Sequence, residues 1–239
     1  DGLNINDGCG STHPEALQEA VRAHGAHAGI AHDGDADRCI AVDERGELVD
    51  GDQIMAICAL DLKARGQLPN DTLVATVMSN MGLELLMRAH GVNLVRTKVG
   101  DRYVLEEMLK GGYGLGGEQS GHVIFRALST TGDGILTAVQ LLSVLVRSGQ
   151  PLSALAGQMQ RLPQWLENVR VGRKEGWEAN PAVQAAIAHA ESALAGQGRV
   201  LVRASGTEPL IRVMLEGADM VQLRTLAATI AEVIRTELK

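Results

Sequence analysis

The sequence predicts an α/β protein that closes with a smaller α+β domain built on an antiparallel sheet. Three observations carry this expectation. Short apolar runs alternate with segments whose apolar residues recur at helical spacing. Caps, prolines and glycines punctuate those segments where helices start and stop. The last third reads strand, helix, two strands joined by a tight turn, and a long helix, which suits an antiparallel sheet covered by helices. The chain has 239 residues, 45% hydrophobic and 21% charged, enough to bury a sizeable core and to make one or two domains, or more if the modules are small.

Thr12-His13-Pro14-Glu15 reads as a capping box opening a helix whose Leu17, Ala20, Val21 and His24 share a face until Gly25. Ala28 to Ala31 and Cys39 to Val42 are short strands around an acidic loop, and Asp43-Glu44-Arg45-Gly46 is a turn. A helix follows from about Asp52 to Ala64, ending at Gly66, and Leu68-Pro69-Asn70-Asp71 is a candidate boundary. Thr72 to Met78 reads as a buried strand, Leu83 to His90 as a helix, Leu94 to Val99 as a strand, and Asp101 to Lys110 as a helix capped by Asp101. A Gly-rich strand and turn (Gly111 to His122), Val123 to Arg126, a helix from Asp133 to Arg147 and a short helix at Pro151 complete an α/β module, with a second boundary at Leu162-Pro163-Gln164. The remainder gives a strand (Glu167 to Val171), a helix (Pro181 to Leu194), strands (Val200 to Arg203 and Leu210 to Glu216) and a helix from Asp219 to Leu238.

Composition narrows the function. Lys+Arg 22 against Asp+Glu 29 leaves a net charge of -7, which disfavours nucleic acid or an anionic membrane as partner. No apolar stretch is long enough to span a bilayer. With one Phe, two Tyr and two Trp, the core must be aliphatic and ring stacking cannot be a main binding device. Cys9, Cys39 and Cys58 lack CxxC spacing and sit among apolar neighbours, as reduced core thiols of a cytoplasmic protein do. The first residues, Asp1-Gly2-Leu3, carry neither an initiator Met nor a signal peptide, so the chain is expected to be a piece of something longer.

Four loops concentrate polar chemistry. Asp33-Gly34-Asp35-Ala36-Asp37-Arg38 sets three carboxylates at alternate positions, where they repel unless a divalent cation joins them or water solvates the turn. An EF-hand is excluded, because Arg38 occupies the sixth position where that loop needs Gly, and strands flank it. Gly116-Gly117-Glu118-Gln119-Ser120-Gly121-His122 is a hairpin turn whose Glu118, Ser120 and His122 suit sugar hydroxyls, or simply decorate a hairpin. Arg203-Ala204-Ser205-Gly206-Thr207-Glu208-Pro209 offers hydroxyls, consecutive N–H groups and a guanidinium to a phosphate, with Arg212 inside the apolar run that follows; an ordinary turn with surface arginines is the alternative. Thr97-Lys98-Val99-Gly100-Asp101-Arg102-Tyr103 brings Lys98 and Arg102 near a helix start, as surface cations or as charge beside a phosphate or proton-transfer site.

In this order, DGDADR, TKVGDRYV, GGEQSGH and RASGTEP resemble the α-D-phosphohexomutase superfamily along essentially the whole chain. CGSTHPEALQEAV, VDGDQIM, SNMGLE, VGDRYV and TTGDG resemble its bacterial phosphoglucosamine mutase branch in particular. The resemblance implies phosphohexomutase-type α/β domains with mixed sheets and a smaller α+β C-terminal domain. Residues 1–68 would be the end of the second domain, 69–163 the third and 164–239 the fourth. It implies Mg²⁺ on Asp33, Asp35 and Asp37, with Lys98, His122 and Arg38 close to the chemistry. Glu118 and Ser120 would hold sugar hydroxyls, and Arg203, Ser205, Gly206, Thr207 and Arg212 the non-reacting phosphate.

The implied reaction interconverts glucosamine 6-phosphate and glucosamine 1-phosphate through a hexosamine bisphosphate, serving UDP-N-acetylglucosamine and cell-wall precursor synthesis. Its phosphoserine would lie in a first domain that these residues do not include; Ser11-Thr12-His13-Pro14 aligns with a helix start, not with the nucleophile loop. The isolated chain is therefore expected to be inactive. Phosphomannomutase or phosphoglucomutase activity, and a non-catalytic phosphosugar-binding protein, are the competing readings; an upstream coding sequence would favour the enzyme. The resemblance leaves room for a homodimer.

Overall fold

The computed structural model describes residues 2–205 and 208–238 and separates into two compact units, 1–160 and 161–239. The first unit opens with an irregular segment and helix α1 (Glu15–His24), stopped by Gly25 in the left-handed conformation. The expected capping box is absent there. Pro14 takes the cap position without a side-chain bond, because the chain turns one step earlier, with the His13 N–H donating to the Gly10 carbonyl. Strands β1 (Ala28–Ala31), β2 (Ile40–Asp43) and β3 (Leu48–Val49) form an antiparallel meander. The expected turn at 43–46 is sealed by Asp43, whose carboxylate accepts the N–H groups of Arg45 and Glu47 at 2.9 Å each. The two-residue return strand β3 was too short to leave a period-two pattern.

Helix α2 (Gly51–Ala64) carries the capping box, formed by Asp50 and Gln53. Next come β4 (Thr72–Thr76), α3 (Met81–Ala89), β5 (Asn93–Thr97), α4 (Asp101–Gly111), β6 (Leu115–Gly117), β7 (Val123–Phe125), α5 (Gly134–Ser148) and α6 (Leu152–Ala156). The sheet order is β5-β4-β6-β7, parallel through the first three strands, with β7 antiparallel at the edge. This is a mixed sheet. All five residues of β4 are buried, as a central parallel strand covered on both faces requires. Leu73, Leu115, Ile54, Met55, Leu83 and Leu141 fill one side, while Val74, Ile124, Val104 and Met108 fill the α4 side.

Two details differ from expectation here. Asp101 is the first residue of α4 rather than its cap; Gly100 caps instead, at φ 128° and ψ 132°, a backbone shape open to glycine. The boundary near 68 also falls inside a compact unit, because α2 packs against α3, α5, α6 and β6 in one continuous core.

The second unit contains β8 (Gln164–Arg170), α7 (Pro181–Leu194), β9 (Arg199–Ala204), β10 (Leu210–Glu216) and α8 (Met220–Glu237). Its sheet is wholly antiparallel, in the order β8-β10-β9. Val169, Ile211, Val213 and Leu215 on one face pack against α7 and α8 through Val183, Leu223, Ile230 and Ile234. The alternate residues of β10, Arg212 among them, therefore lie on the opposite face.

Candidate active site

The acidic loop joins β1 to β2. Its tight bend is made by the Ala36 N–H donating to the Asp33 carbonyl at 3.1 Å, and it leaves Ala36 left-handed at φ 56°. Alternation along this bend brings carboxylate oxygens of Asp33, Asp35 and Asp37 within 4.8 Å of one another. One guanidinium faces them. Arg38 Nε lies 3.4 Å from Asp33 Oδ2 and 3.7 Å from Asp37 Oδ1, and the Arg38 N–H donates to Asp33 Oδ1 at 3.3 Å.

Three carboxylates against one guanidinium leave a net negative pocket of hard oxygen donors. Asp37 Oδ1 is buried and accepts no hydrogen bond; the Arg38 guanidinium at 3.7 Å compensates it only at ion-pair distance, which leaves room for a closer cation. The residues present therefore fit a small divalent cation.

Backbone hydrogen bonds lock this loop to the hairpin between β6 and β7. The Cys39 N–H donates to the Gly121 carbonyl and the Gly51 N–H to the Gln119 carbonyl, both at 3.0 Å, while Arg38 and His122 form an antiparallel bridge. Gly121 sits at φ 95° with Cys39 backbone within 3.1 Å of where a Cβ would stand, so close approach requires glycine. Gln119 Nε2 donates to Asp50 Oδ2 at 3.3 Å. His122 is 5% exposed, with Nδ1 3.0 Å from Asp37 Oδ2.

The loop after β5 joins the same edge of the sheet. Glu118 Oε1 accepts the Gly100 N–H at 3.0 Å, which fixes the hairpin carboxylate beside the segment that carries Lys98. Lys98 and Ser120 are exposed. These loops stand at the C-terminal ends of parallel strands, where α/β sheets place their ligands. Burial pushes the Cys39 thiol up to about 12, and Cys58 likewise, so neither is a nucleophile in waiting.

Of the residues singled out from sequence, the first unit thus gathers Asp33, Asp35, Asp37, Arg38 and His122 into one cluster and ties Glu118 to the Lys98 segment. Sequence reasoning missed the supports: Gly100, Gln119, Gly132 and Gly134 act through backbone or amide groups, which leave no charge signature. The SNMGLE segment is held structurally. Buried Asp52 accepts the Asn80 N–H at 2.8 Å, and Arg96 reaches the Ser79 carbonyl at 2.9 Å and Glu84 at 3.2 Å.

In the second unit, Arg203 on β9 and Arg212 on β10 are direct cross-strand partners on the face away from the helices. Like charges in that register repel. Glu208 partly offsets them, 3.4 Å from Arg212. The turn between the strands is organised by Ser205, which is 4% exposed: its N–H donates to the Leu210 carbonyl at 2.9 Å and its Oγ accepts the Glu208 N–H at 3.3 Å. Lys174 Nζ donates to the Ser205 carbonyl at 2.8 Å, a third cation that sequence reading overlooked because it lies 31 residues away. Gly206 and Thr207, expected to complete the phosphate loop, lie outside the described residues.

Comparison with known proteins bears on this arrangement. Residues 50–162 match the family model for phosphoglucomutase/phosphomannomutase alpha/beta/alpha domain III, residues 166–233 that for the C-terminal domain, and residues 10–46 that for alpha/beta/alpha domain II. The phosphoglucosamine mutase of Symbiobacterium thermophilum is 87% identical over 239 residues, covering 100% of this chain and 54% of that protein. That of Heliobacterium modesticaldum is 61% identical over 235 residues, covering 98% and 51%. The chain spans about half the length of the curated relatives it matches.

Among solved structures, Aspergillus fumigatus N-acetylphosphoglucosamine mutase in complex with GlcNAc-6P and magnesium shares the fold at a TM-score of 0.73 and 23% identity, covering 98% of this chain and 54% of that one. A phosphoglucomutase/phosphomannomutase family protein from Burkholderia thailandensis gives 0.72 at 23% identity, covering 93% and 50%. No helix among the described residues is long and apolar enough to cross a membrane. With three successive domain models of one family matched in chain order and close relatives aligned along nearly every residue, the chain belongs to the phosphoglucomutase/phosphomannomutase family of α-D-phosphohexomutases.

Proposed function

We propose that this chain carries the cation-, sugar- and phosphate-binding parts of a cytoplasmic phosphoglucosamine mutase, which interconverts glucosamine 6-phosphate and glucosamine 1-phosphate by way of a hexosamine bisphosphate. The observation that carries the reading is the convergence of Asp33, Asp35 and Asp37 on one point, with Asp37 Oδ1 buried and unbonded. The names of the relatives at 87% and 61% identity supply the amino sugar.

Mg²⁺ on those carboxylates would neutralise charge on the transferring phosphoryl group and orient its oxygens. Arg38, already over the carboxylates, adds positive charge on the same side. Glu118, with Oε1 committed to Gly100, keeps Oε2 for a sugar hydroxyl, and exposed Ser120 offers a second contact. Lys98, exposed beside this segment, handles a hydroxyl proton in this reading. Arg203 and Arg212 take the phosphate that is not transferred, whose charge relieves their mutual repulsion. Binding energy gained there is spent on orientation, the main demand of phosphoryl transfer.

The phosphoryl-carrying serine of this reading is not among the 239 residues. The test is to assay the chain alone, and fused to the segment that precedes the matching region in the Symbiobacterium thermophilum relative, with Mg²⁺ and a bisphosphate activator. The chain alone should give no turnover above background, and the fusion should convert glucosamine 6-phosphate. Asp33→Ala in the fusion should lower kcat by about a thousandfold or more. A fusion that prefers mannose or glucose phosphates would overturn the amino-sugar assignment, and an inactive, well-folded fusion that still binds phosphosugar would favour a binding protein.

A further inference from the structure

The loop of residues 130–134, Thr-Thr-Gly-Asp-Gly, has no part in the chemistry proposed above, yet it braces the acidic loop directly through Gly134 and indirectly through Gly132 and His122. The Gly132 N–H donates to His122 Nε2 at 3.1 Å. Asp133 accepts the Leu136 N–H at 2.9 Å and so starts α5 at this point. The Gly134 N–H donates to the Ala36 carbonyl at 2.9 Å. Neither glycine has room for a side chain. A Cβ on Gly132 would stand 2.5 Å from His122 Cδ2, and one on Gly134 would stand 2.7 Å from His32 Nδ1 and 2.8 Å from the Ala36 carbonyl oxygen.

A backbone N–H can only donate, so His122 Nε2 must accept and the ring proton must sit on Nδ1. Nδ1 is the nitrogen that faces Asp37 Oδ2 at 3.0 Å. The exposed Asp101 carboxylate, 4.0 Å from Nε2, is too distant to compete for that nitrogen. Both ring nitrogens are thus committed in a nearly closed environment.

We propose that residues 130–134 are the rear support of the cation site: Gly132 holds His122 in its Nδ1–H tautomer, and His122 in turn aims the Asp37 carboxylate. This makes His122 a positioning residue rather than a proton carrier, and Gly132 the group that sets its role. The inference rests on the reading of Asp33, Asp35 and Asp37 as cation ligands. Groups that orient metal ligands in this way typically change affinity about 10- to 100-fold when removed.

Two measurements on the 239-residue chain test it. Long-range proton–nitrogen NMR on ¹⁵N-histidine protein should show His122 protonated at Nδ1 and bare at Nε2. Mn²⁺ binding followed by electron paramagnetic resonance should weaken about tenfold or more in Gly132→Ala and His122→Phe. His122→Asn, whose amide can still donate to Asp37, should stay within about threefold of wild type. Amide spectra of the first unit away from this loop, over β4 and β5, provide the folding control.

A proton on Nε2 overturns the inference. So does Mn²⁺ binding that is lost in Asp33→Asn but unchanged in Gly132→Ala and His122→Phe, an outcome that leaves the cation reading standing. Absence of Mn²⁺ binding by the wild type overturns the cation reading and this inference with it.

Discussion

The two units build their polar sites by opposite means. In the first, the acidic loop at 33–38 meets a hairpin at 118–122 and a loop at 130–134, and the junction is made mainly of main-chain hydrogen bonds and glycines, with the His122 ring bridging Asp37 and Gly132. In the second, one hairpin supplies Arg203, Ser205, Glu208 and Arg212 within ten residues, and Lys174 reaches it from elsewhere. Distant segments can be held in register by backbone, which is insensitive to side-chain identity wherever a Cβ fits. A local hairpin needs no such joinery and can tolerate internal repulsion that a ligand relieves.

The contrast predicts where each unit breaks. Gly121→Ala should have the largest effect, because it adds a Cβ at a positive φ against the Cys39 backbone. Strain and overpacking together amount to about 2–5 kcal/mol. Hydrogen exchange should show lost protection around 39–41 and 117–123 with the second unit untouched; unchanged protection in the first unit would mean that the two loops are not held by this joint.

Arg203→Ala acts in the reverse direction on the other unit. Removing one of two facing guanidinia should leave the sheet as stable or slightly more so, yet weaken inorganic phosphate binding about tenfold. NMR titration checks both, and phosphate shifts centred away from 203–212 would remove the hairpin from consideration.

The smallest effect concerns Glu44. Burial raises its pKa, but hydrogen bonds from the Ser153 hydroxyl and N–H, with help from Arg45, outweigh burial and hold the carboxyl below its ordinary value. A depressed carboxyl contributes stability that is present above its unfolded pKa and lost as pH falls through the folded value. Ser153→Ala should bring the Glu44 titration, followed by carboxyl NMR, upward toward the usual range, with only a slight loss of stability at neutral pH.

Legibility followed the same division. The helices that start at Pro181 and Asp219, the strand Leu210–Glu216 and the antiparallel sheet could be read because their caps and periods are local. Asp33, Asp35 and Asp37 could be read because alternation along one bend forces them together. The glycine cap at Gly100 and the continuity of the core across residue 68 could not, since each depends on a partner far along the chain: Glu118 for Gly100, and α3, α5 and α6 for α2. His122 was picked out as a polar group, but its partners Asp37 and Gly132 became visible only in three dimensions.

The joint at Gly51, Gly121 and Gly134 also sets the smallest segment that can be exchanged between relatives. A chimera that imports a foreign hairpin at 116–122 brings new backbone to the Cys39 N–H and a new residue to Asp37, so under the proposed function it should alter metal affinity along with sugar preference. Grafts cut at residues 33 and 134 carry the whole joint and should behave as one cassette, whereas crossovers inside that span should recombine poorly even between closely similar parents.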